Sequence, residues 1–186
     1  MENLEKKTVA ILATNGFEES ELFEPKNALE KAGAEVHIIS LEKDDIKSWK
    51  DGNWGTSLKV DKTVDEVSQT DYNALVLPGG VMNPDLLRVN DEAIRFTKSF
   101  FTAKKPVAAI CHAPWLLAEA DVLQGRKITS YKSIKRDLVN AGAKWEDSEV
   151  VVDEGLVTSR NPNDLPAFCS KIVEEVYEGK HDMQTA

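Results

Sequence analysis

The stretch at residues 106–115 reads PVAAICHAPW, and the rest of the chain is arranged around it. Residues 107–110 form an unbroken apolar run, which is typical of a parallel strand buried on both faces. Cys111 follows at once, and a helix-like run begins at Trp115. A strand that turns into a helix at a reactive side chain is a nucleophile elbow. We therefore predict that Cys111 is a nucleophile whose pKa is lowered by the amides and dipole of the following helix.

The composition limits the possible classes of protein. The 186 residues are 41% hydrophobic and 30% charged, which predicts one globular domain over residues 1–186. A formal net charge of −9 argues against binding to nucleic acid or to anionic membranes. No apolar run approaches the ~20 residues that span a bilayer, and residues 1–7 lack the apolar core of a signal peptide. Two cysteines make neither a disulfide framework nor a zinc cluster, so we expect a cytoplasmic protein without metal or other cofactor.

Apolar and amphipathic segments alternate along the chain. This alternation is typical of an α/β protein with a doubly wound parallel sheet sandwiched by helices. In such sheets the site lies off the carboxyl ends of the strands, where residues 14–21, the Gly79-Gly80 pair and Cys111 fall. The predicted strands are 8–13, 35–40, 73–77, 107–111, 127–130 and a hairpin of 149–153 with 155–159, with short strands near 46–49 and 57–60; the predicted helices are 18–31, 84–101, 112–121, 134–141 and 163–178.

The two cysteines have different sequence surroundings. A free cysteine is more often a small buried hydrophobe than a nucleophile. The position of Cys111 between a strand and a helix, with a histidine next to it, reverses that expectation. Cys169 lies in a helical pattern near Phe168 and Ile172, and we expect it to be a core residue.

His112 follows the predicted nucleophile directly. Adjacent side chains diverge, so His112 needs a special turn to act as the base for Cys111; the alternative is that it packs against or caps the elbow. Its backbone N–H has a separate use, because the amide after a nucleophile commonly forms half of an oxyanion hole. Gly79 and Gly80 could supply the other half, since glycine permits close backbone approach.

Three acidic residues follow the first predicted strand: Glu18, Glu19 and Glu21. An acidic first turn is usually favourable helix electrostatics. A carboxyl buried beside Cys111 would instead stay partly protonated or hydrogen-bond the sulfur, and it could act as a general acid or base. The spacing does not choose among the three.

The remaining histidines argue against one class of cysteine enzyme. Class I amidotransferases also use a cysteine elbow, but with a distant histidine and glutamate supplied late in the chain. Here His37 lies within the second predicted strand and His181 lies in the tail, so neither fits that role.

Six short motifs occur in order: GFEESE at 16–21, ALVLPGG at 74–80, AICHAP at 109–114, GRK at 125–127, VVVD at 150–153 and VTSR at 157–160. Together they resemble the PfpI family, in the superfamily that also holds the parkinsonism-associated deglycase and the class III glyoxalases. The resemblance covers about residues 8–178. It implies a single PfpI-type domain with the flavodoxin-like fold of the class I glutamine amidotransferase-like superfamily.

The resemblance implies a nucleophile at Cys111, a hydrogen bond between Glu21 and its sulfur, and His112 as its partner. It also implies that an acid of a neighbouring subunit orients this histidine, and Asp85 occupies the matching position. The site would then lie at a subunit interface of a homodimer or a hexamer.

Two positions depart from the family pattern. Ala113 stands in place of the usual glycine after Cys-His, and Trp115 stands where glutamine is frequent. Both are predicted to lie at the mouth of the pocket and to narrow it. Gly79, Gly80 and Glu18 are the further predicted pocket residues.

The leading functional hypothesis is a cysteine-dependent stress-response hydrolase. Its substrates would be small reactive carbonyls or glycated proteins, as for a deglycase or a class III glyoxalase, with peptidase activity as a further option. Thiolate attack on a carbonyl begins all three reactions. The alternative is a redox-sensing or chaperone-like stress protein with little turnover, since an accessible thiolate also oxidises readily. A degenerate homologue is disfavoured because Cys111, His112 and Glu21 are all present.

Overall fold

The computed structural model describes residues 2–186 as a seven-stranded sheet with helices on both faces and two smaller sheets beside it. The strands are β1 (Thr8–Leu12), β2 (Phe17–Glu18), β3 (Glu35–Ser40), β4 (Ile46–Lys50), β5 (Asn53–Leu58), β6 (Lys62–Thr63), β7 (Ala74–Leu77), β8 (Val107–Ile110), β9 (Lys127–Ile128), β10 (Lys144–Trp145), β11 (Val150–Asp153) and β12 (Leu156–Ser159). The helices are α1 (Glu19–Lys31), α2 (Met82–Leu87), α3 (Asp91–Thr102), α4 (Pro114–Glu119), α5 (Lys135–Asn140) and α6 (Leu165–Glu178).

The main sheet has the strand order β11-β12-β8-β7-β1-β3-β6. Every neighbouring pair is parallel except β11 with β12. The five central strands follow the doubly wound order of flavodoxin-like proteins, so the predicted fold class is confirmed. Because β1, β7 and β8 are adjacent and parallel, the loops after these three strands meet at one edge of the sheet.

The central strands are apolar without alternation because both of their faces are buried. In β1, Ala10 and Leu12 pack in the cluster beneath α3 and α4, whereas Val9 and Ile11 pack in the cluster beneath α1 and α6. Successive side chains of a strand point to opposite faces, which divides the core into these two layers. The layers fix the sheet between the helices and so fix the edge where the three loops meet.

Two predicted elements differ in the structure. The predicted helix at 84–101 is divided into α2 and α3, because Asn90 caps a new helix by accepting the backbone N–H groups of Glu92 and Ala93 at 3.0 and 2.9 Å. The predicted strand at 127–130 is shorter, and β9 pairs with β10 outside the main sheet. None of the helices within residues 2–186 has the length and apolar character needed to cross a bilayer.

Candidate active site

Cys111 lies at the turn between β8 and α4. Its backbone φ is +64°, in the left-handed region that few residues other than glycine occupy. Two backbone hydrogen bonds hold this turn: Cys111 N donates to Ser159 O at 3.0 Å, and Tyr131 N donates to Cys111 O at 2.9 Å. The surrounding structure thus maintains a strained conformation at a reactive residue, which is the geometry of a nucleophile elbow.

Glu21 is the acid that the fold places beside Cys111. It is fully buried in the first turn of α1, and its Oε2 accepts the Gly79 N–H at 3.0 Å. The carboxyl lies close enough to the Cys111 side chain for each group to affect the pKa of the other. Its Oε1 is buried without a hydrogen-bond partner among residues 2–186. Burial therefore makes the choice among the three acids that spacing left open.

The other two acids of this turn have structural partners. Glu18, a predicted pocket residue, caps α1, because its Oε2 accepts the Glu21 N–H at 2.7 Å. Glu19 accepts hydrogen bonds from Lys50 at 2.8 Å and from Ser48 at 2.6 Å, and the first of these lowers its pKa to about 2. Glu18 thus acts on the site through its charge and through the helix that it caps.

The surroundings of Glu21 and Cys111 favour the protonated form of both side chains at neutral pH. Burial, followed by the charge of Glu18, raises the pKa of Glu21 to about 8, so its carboxyl can donate a proton. Burial also raises the pKa of Cys111, followed by the charge that Glu21 would carry. This corrects the sequence prediction of a lowered pKa, because desolvation outweighs the backbone donors. The amides of Gly80 and His112 do donate to the sulfur and favour its anion.

The loop after β7 needs glycine at both predicted positions. A Cβ at Gly79 would overlap the Glu21 carboxyl and the Cys111 side chain. Gly80 has φ +79°, and a Cβ there would lie 2.5 Å from Gly16 O. The absence of side chains at these positions therefore lets the backbone reach the sulfur.

Asn83 organises this loop and was missed by sequence reasoning. It is fully buried, and its Nδ2 donates to Pro78 O at 2.8 Å and to Gly79 O at 3.1 Å. Its Oδ1 accepts the Thr14 N–H at 2.7 Å, which joins the loop after β1 to the loop after β7. No local pattern in the sequence marks an asparagine for this role, because its contacts depend on the parallel pairing of two distant strands.

The His112 ring contacts the Cys111 sulfur and three further side chains. Its Nδ1 lies 3.2 Å from Cys111 Sγ, and its Nε2 lies 3.1 Å from Ser133 Oγ. The ring stacks on Tyr131 at a centroid distance of 4.8 Å and meets the Trp115 ring edge-on at 5.1 Å. Burial lowers the pKa of His112, so its imidazole is neutral at neutral pH. The elbow thus provides the turn that lets a histidine adjacent in sequence face the cysteine.

The remaining predicted residues lie at different depths. Asp85 is exposed on α2 and pairs with Arg88 at 2.8 Å, so within its own chain it does not contact His112. The Arg88 guanidinium lies over the Trp115 ring at 4.5 Å, and Trp115 is half-buried. Ala113 is 1% exposed and packs in the core beneath α3 and α4. This corrects the prediction that Ala113 lines the mouth: the turn after Cys111 directs its methyl group into the core.

One group of potential metal ligands occurs within residues 2–186. Glu175, Glu178 and His181 place ligand atoms within 4.8 Å of one another near the end of α6. His181 Nε2 lies 2.8 Å from Glu175 Oε2, so two of the three are in direct contact with each other. The residues around Cys111 offer one thiol, one imidazole and one carboxyl, which fit acid–base and nucleophilic chemistry without further groups.

The doubly wound fold and the cysteine elbow define a class: α/β proteins with a cysteine at a strand-to-helix turn on the carboxyl edge of the sheet. A sequence model described as the DJ-1/PfpI family matches residues 7–175. The chain belongs to this family.

Similar proteins cover nearly the whole chain. Protein/nucleic acid deglycase 2 of Escherichia coli is 48% identical over 163 residues, which are 87% of this chain and 93% of that protein. General stress protein 18 of Bacillus subtilis is likewise 48% identical over 163 residues, with the same coverage of 87% and 93%. The crystal structure of Drosophila melanogaster DJ-1beta superposes with a TM-score of 0.84 at 30% identity, and the match covers 92% of this chain and 90% of that one.

Proposed function

We propose that this protein is a cysteine-dependent enzyme that converts small reactive carbonyls, or their early adducts on proteins, to hydroxy acids. The observation that most supports this is the fully buried Glu21 carboxyl beside the Cys111 side chain, where burial raises the pKa of the carboxyl to about 8. An acid that keeps its proton at neutral pH can protonate a carbonyl oxygen while the sulfur attacks the carbon. The deglycase name of the E. coli relative supports the same substrate class.

The first step forms a carbon–sulfur bond. His112 Nδ1, 3.2 Å from Cys111 Sγ, takes the thiol proton as the sulfur bonds to the aldehyde carbon of a 2-oxoaldehyde such as methylglyoxal. The π pair of the carbonyl moves to its oxygen, and Glu21 gives that oxygen a proton. The product is a hemithioacetal, with Glu21 now a carboxylate and His112 an imidazolium. The amides of Gly80 and His112, which donate to the Cys111 sulfur, stabilise the negative charge that develops on it as the thiol loses its proton.

The later steps return every group to its starting state. The Glu21 carboxylate takes the hydrogen of the carbon bonded to sulfur as a proton and delivers it to the adjacent carbonyl carbon. His112 moves the hydroxyl proton from the first carbon's oxygen to the oxygen of the former carbonyl. This shift gives the Cys111 thioester of a hydroxy acid. Glu21 then takes a proton from water, the water oxygen bonds to the acyl carbon, and the sulfur leaves with the His112 proton. The sum is methylglyoxal plus water to lactic acid, with no net oxidation.

Glycated amines can enter the same route. In an early adduct the amine nitrogen and a hydroxyl share one carbon, and the Cys111 sulfur can displace the amine there. The thiol proton leaves with the amine, and the enzyme-bound product is the same hemithioacetal. Repair of an adduct and removal of the free carbonyl would therefore share one site. They would differ only in the first step, in which the adduct releases its amine and the free carbonyl undergoes addition.

The redox-sensor alternative calls for a different kind of cysteine. Sensor cysteines have a low pKa and an accessible sulfur. Cys111 is 7% exposed, and burial raises its pKa. These properties favour a thiol that is ionised only when a substrate and a base are in place, so we give precedence to the enzyme.

The test is lactate formation from methylglyoxal, with amine release from a methylglyoxal-modified peptide measured in parallel. We expect turnover in the wild type and its loss in Cys111→Ala and Glu21→Gln. An inactive wild type would contradict the proposed function. Peptide hydrolysis would then favour a peptidase, and a gain of two oxygens on Cys111 with peroxide would favour the sensor.

We also propose a homo-oligomer that forms through the face around Asp85. This face exposes the apolar side chains of Val81, Leu86 and Val89 beside Asp85. A cluster of exposed apolar residues with charge at its margin is typical of an interaction surface. Contact with a second copy would cover these side chains and bring the partner chain to the mouth of the site. Leu86→Lys should reduce the mass measured by analytical ultracentrifugation, and an unchanged mass would contradict this interface.

Finally, we propose that the whole chain works as one domain in the cytoplasm. Both termini are tied to the main body, since Leu4 N donates to Ala32 O at 2.8 Å and Arg126 hydrogen-bonds Thr185 O. Both cysteines are free, as is usual for a protein of a reducing compartment.

A further inference from the structure

We propose that Glu175, Glu178 and His181 bind a zinc ion that fastens the C-terminal tail to α6. One ligand atom of each residue lies within 4.8 Å of the other two. Carboxylates and imidazole are ligands that Zn²⁺ takes in proteins, and a water molecule can complete a tetrahedron. A site of this composition contains no cysteine, so it falls outside the cysteine–histidine patterns on which the expectation of no metal was based.

The end of α6 and the turn after it bring the three side chains together. Glu175 and Glu178 are three residues apart in a helix and therefore lie on the same face. Gly179 ends the helix with φ +90°, and its N–H donates to Glu175 O at 2.9 Å. The chain then turns back, and His181 N donates to Lys104 O at 3.0 Å. Backbone contacts that need no metal thus hold the imidazole beside the last turn of α6.

The two buried ligand atoms lie side by side without a hydrogen bond. Glu175 is 6% exposed, and its Oε2 has no hydrogen-bond partner within residues 2–186. The same is true of His181 Nε2, although the two atoms are only 2.8 Å apart. A ring N–H directed at the oxygen would form a hydrogen bond at this distance. Two ligands of one Zn²⁺, each bonded at ~2.0–2.2 Å, lie about 3 Å apart with their lone pairs directed at the ion and not at each other.

The charges around this group also favour a cation. Within the described chain, neither Glu175 nor Glu178 forms an ion pair with a lysine or an arginine. Lys171 of the same helix pairs with Glu174 instead, at 2.6 Å. Glu178 is exposed, so its carboxylate can move towards an ion without loss of core packing. A divalent ion would offset the charge of two carboxylates that the helix holds close together.

The proposed zinc site lies at the edge of the sheet opposite to Cys111. His181 contacts the loops that precede β8 and β12, since its N–H donates to Lys104 O and a Cβ at Gly155 would lie 2.7 Å from its Cδ2. Cys111 follows the other end of β8. Glu178 and His181 lie beyond residue 175, where the match to the family model ends. The ion would therefore have a structural role in the tail and take no part in the chemistry at Cys111.

The experiment titrates zinc chloride into the full-length Cys111→Ala/Cys169→Ala variant by isothermal titration calorimetry, so that no thiol competes for the ion. We expect one Zn²⁺ per chain. Glu178→Gln in this background should weaken binding by ~10–100-fold, because loss of a ligand costs at least as much as loss of an outer-shell partner. Glu174→Gln removes the same charge from a nearby position of α6 and is the matched control. It should change the affinity by no more than ~3-fold, since an exposed charge is screened.

Nuclear magnetic resonance identifies the histidine that binds. The chain has three histidines, and the same variant labelled with ¹⁵N-histidine reports on each of them. We expect zinc chloride to shift the Nε2 signal of His181 and to leave those of His37 and His112 unchanged.

Three results would overturn the proposal. One is the absence of zinc binding in the calorimeter. Another is an equal affinity for Zn²⁺ in the Glu178→Gln and Glu174→Gln variants. The third is a shift of His37 or His112 in place of His181, which would assign the ion to another part of the chain. Thermal unfolding without zinc checks that Glu178→Gln is folded, and none of these measurements depends on turnover at Cys111.

Discussion

Cys111 and Cys169 are both free thiols, and burial raises the pKa of both, that of Cys169 to about 12. The two cysteines differ in the polar groups around the sulfur. Cys111 meets the amides of Gly80 and His112, an imidazole nitrogen and a protonated carboxyl. Cys169 lies within α6, and the charge of Glu24 further opposes its ionisation. Burial alone therefore makes a thiol inert, and reactivity requires groups that accept its proton and hold its charge.

The two cysteines also show that the volume of a nearby cavity and the chemistry around a side chain are separate properties. Cys169 lines an open groove of about 580 Å³ between α1 and α6. Cys111 is buried, yet its backbone is strained at φ +64° and is held by hydrogen bonds to Ser159 and Tyr131. A strained residue surrounded by converging donors is better evidence of a site than the volume of a groove.

The largest expected effect is the difference between the two cysteine variants. Cys111→Ala should reduce lactate formation by roughly 10³-fold or more, since no other group can form the carbon–sulfur bond. Cys169→Ala should stay within about twofold of the wild type, because a small apolar side chain fills the same place. Equal losses of lactate formation in the two variants would contradict the proposed difference between Cys111 and Cys169.

The next effect concerns the proton on Glu21. Glu21→Gln should lower kcat by about 10²-fold, because an amide cannot give up a proton to the substrate. Glu19→Gln, in the same helical turn but outside the site, is the matched control and should have little effect. Wild-type kcat/KM, which reports the free enzyme, should also fall as the pH rises through the Glu21 pKa of about 8, and this limb of the profile should be absent in Glu21→Gln.

The same residue makes folding stability depend on pH. The folded-state pKa of Glu21, about 8, lies above the unfolded value of 4.5, so the folded state binds the extra proton between these pH values. Wild-type stability should therefore decline relative to Glu21→Gln as the pH rises from 4.5 to 8, by on the order of 3–5 kcal/mol. Urea unfolding at several pH values measures this difference. A constant difference between the two proteins would indicate that Glu21 is ionised throughout.

The smallest expected effect is at Trp115. Its ring contacts the His112 ring and lies beneath the Arg88 guanidinium, and we expect the indole to narrow the approach to Cys111. Trp115→Gln should increase the rate of Cys111 alkylation by roughly 2–5-fold while the rate at Cys169 stays constant. A slower reaction at Cys111 would mean that the indole mainly holds the histidine in place and does not restrict entry.

Local patterns predicted the parallel sheet, the elbow at Cys111 and the glycine loop after β7. One error was avoidable, because Asn90 followed by two acidic residues is a helix start that would have divided the helix predicted at 84–101. The contact of Ser133 with His112 was out of reach of local patterns, since His112 lies 21 residues earlier in the chain. The same holds for Asn83, which bonds the Thr14 amide 69 residues away.

The sequence by itself determined the doubly wound architecture, the strand-to-helix turn at Cys111 and membership of the cysteine-elbow class. Hydrophobic periodicity, glycine and chain order act over a few residues, so they can be recognised without coordinates. Only the tertiary structure decided that Glu21 is the acid buried beside Cys111, that Ala113 faces the core, and that burial raises the thiol pKa. Desolvation and convergence of side chains depend on which strands become neighbours, and that is settled only when the whole sheet is assembled.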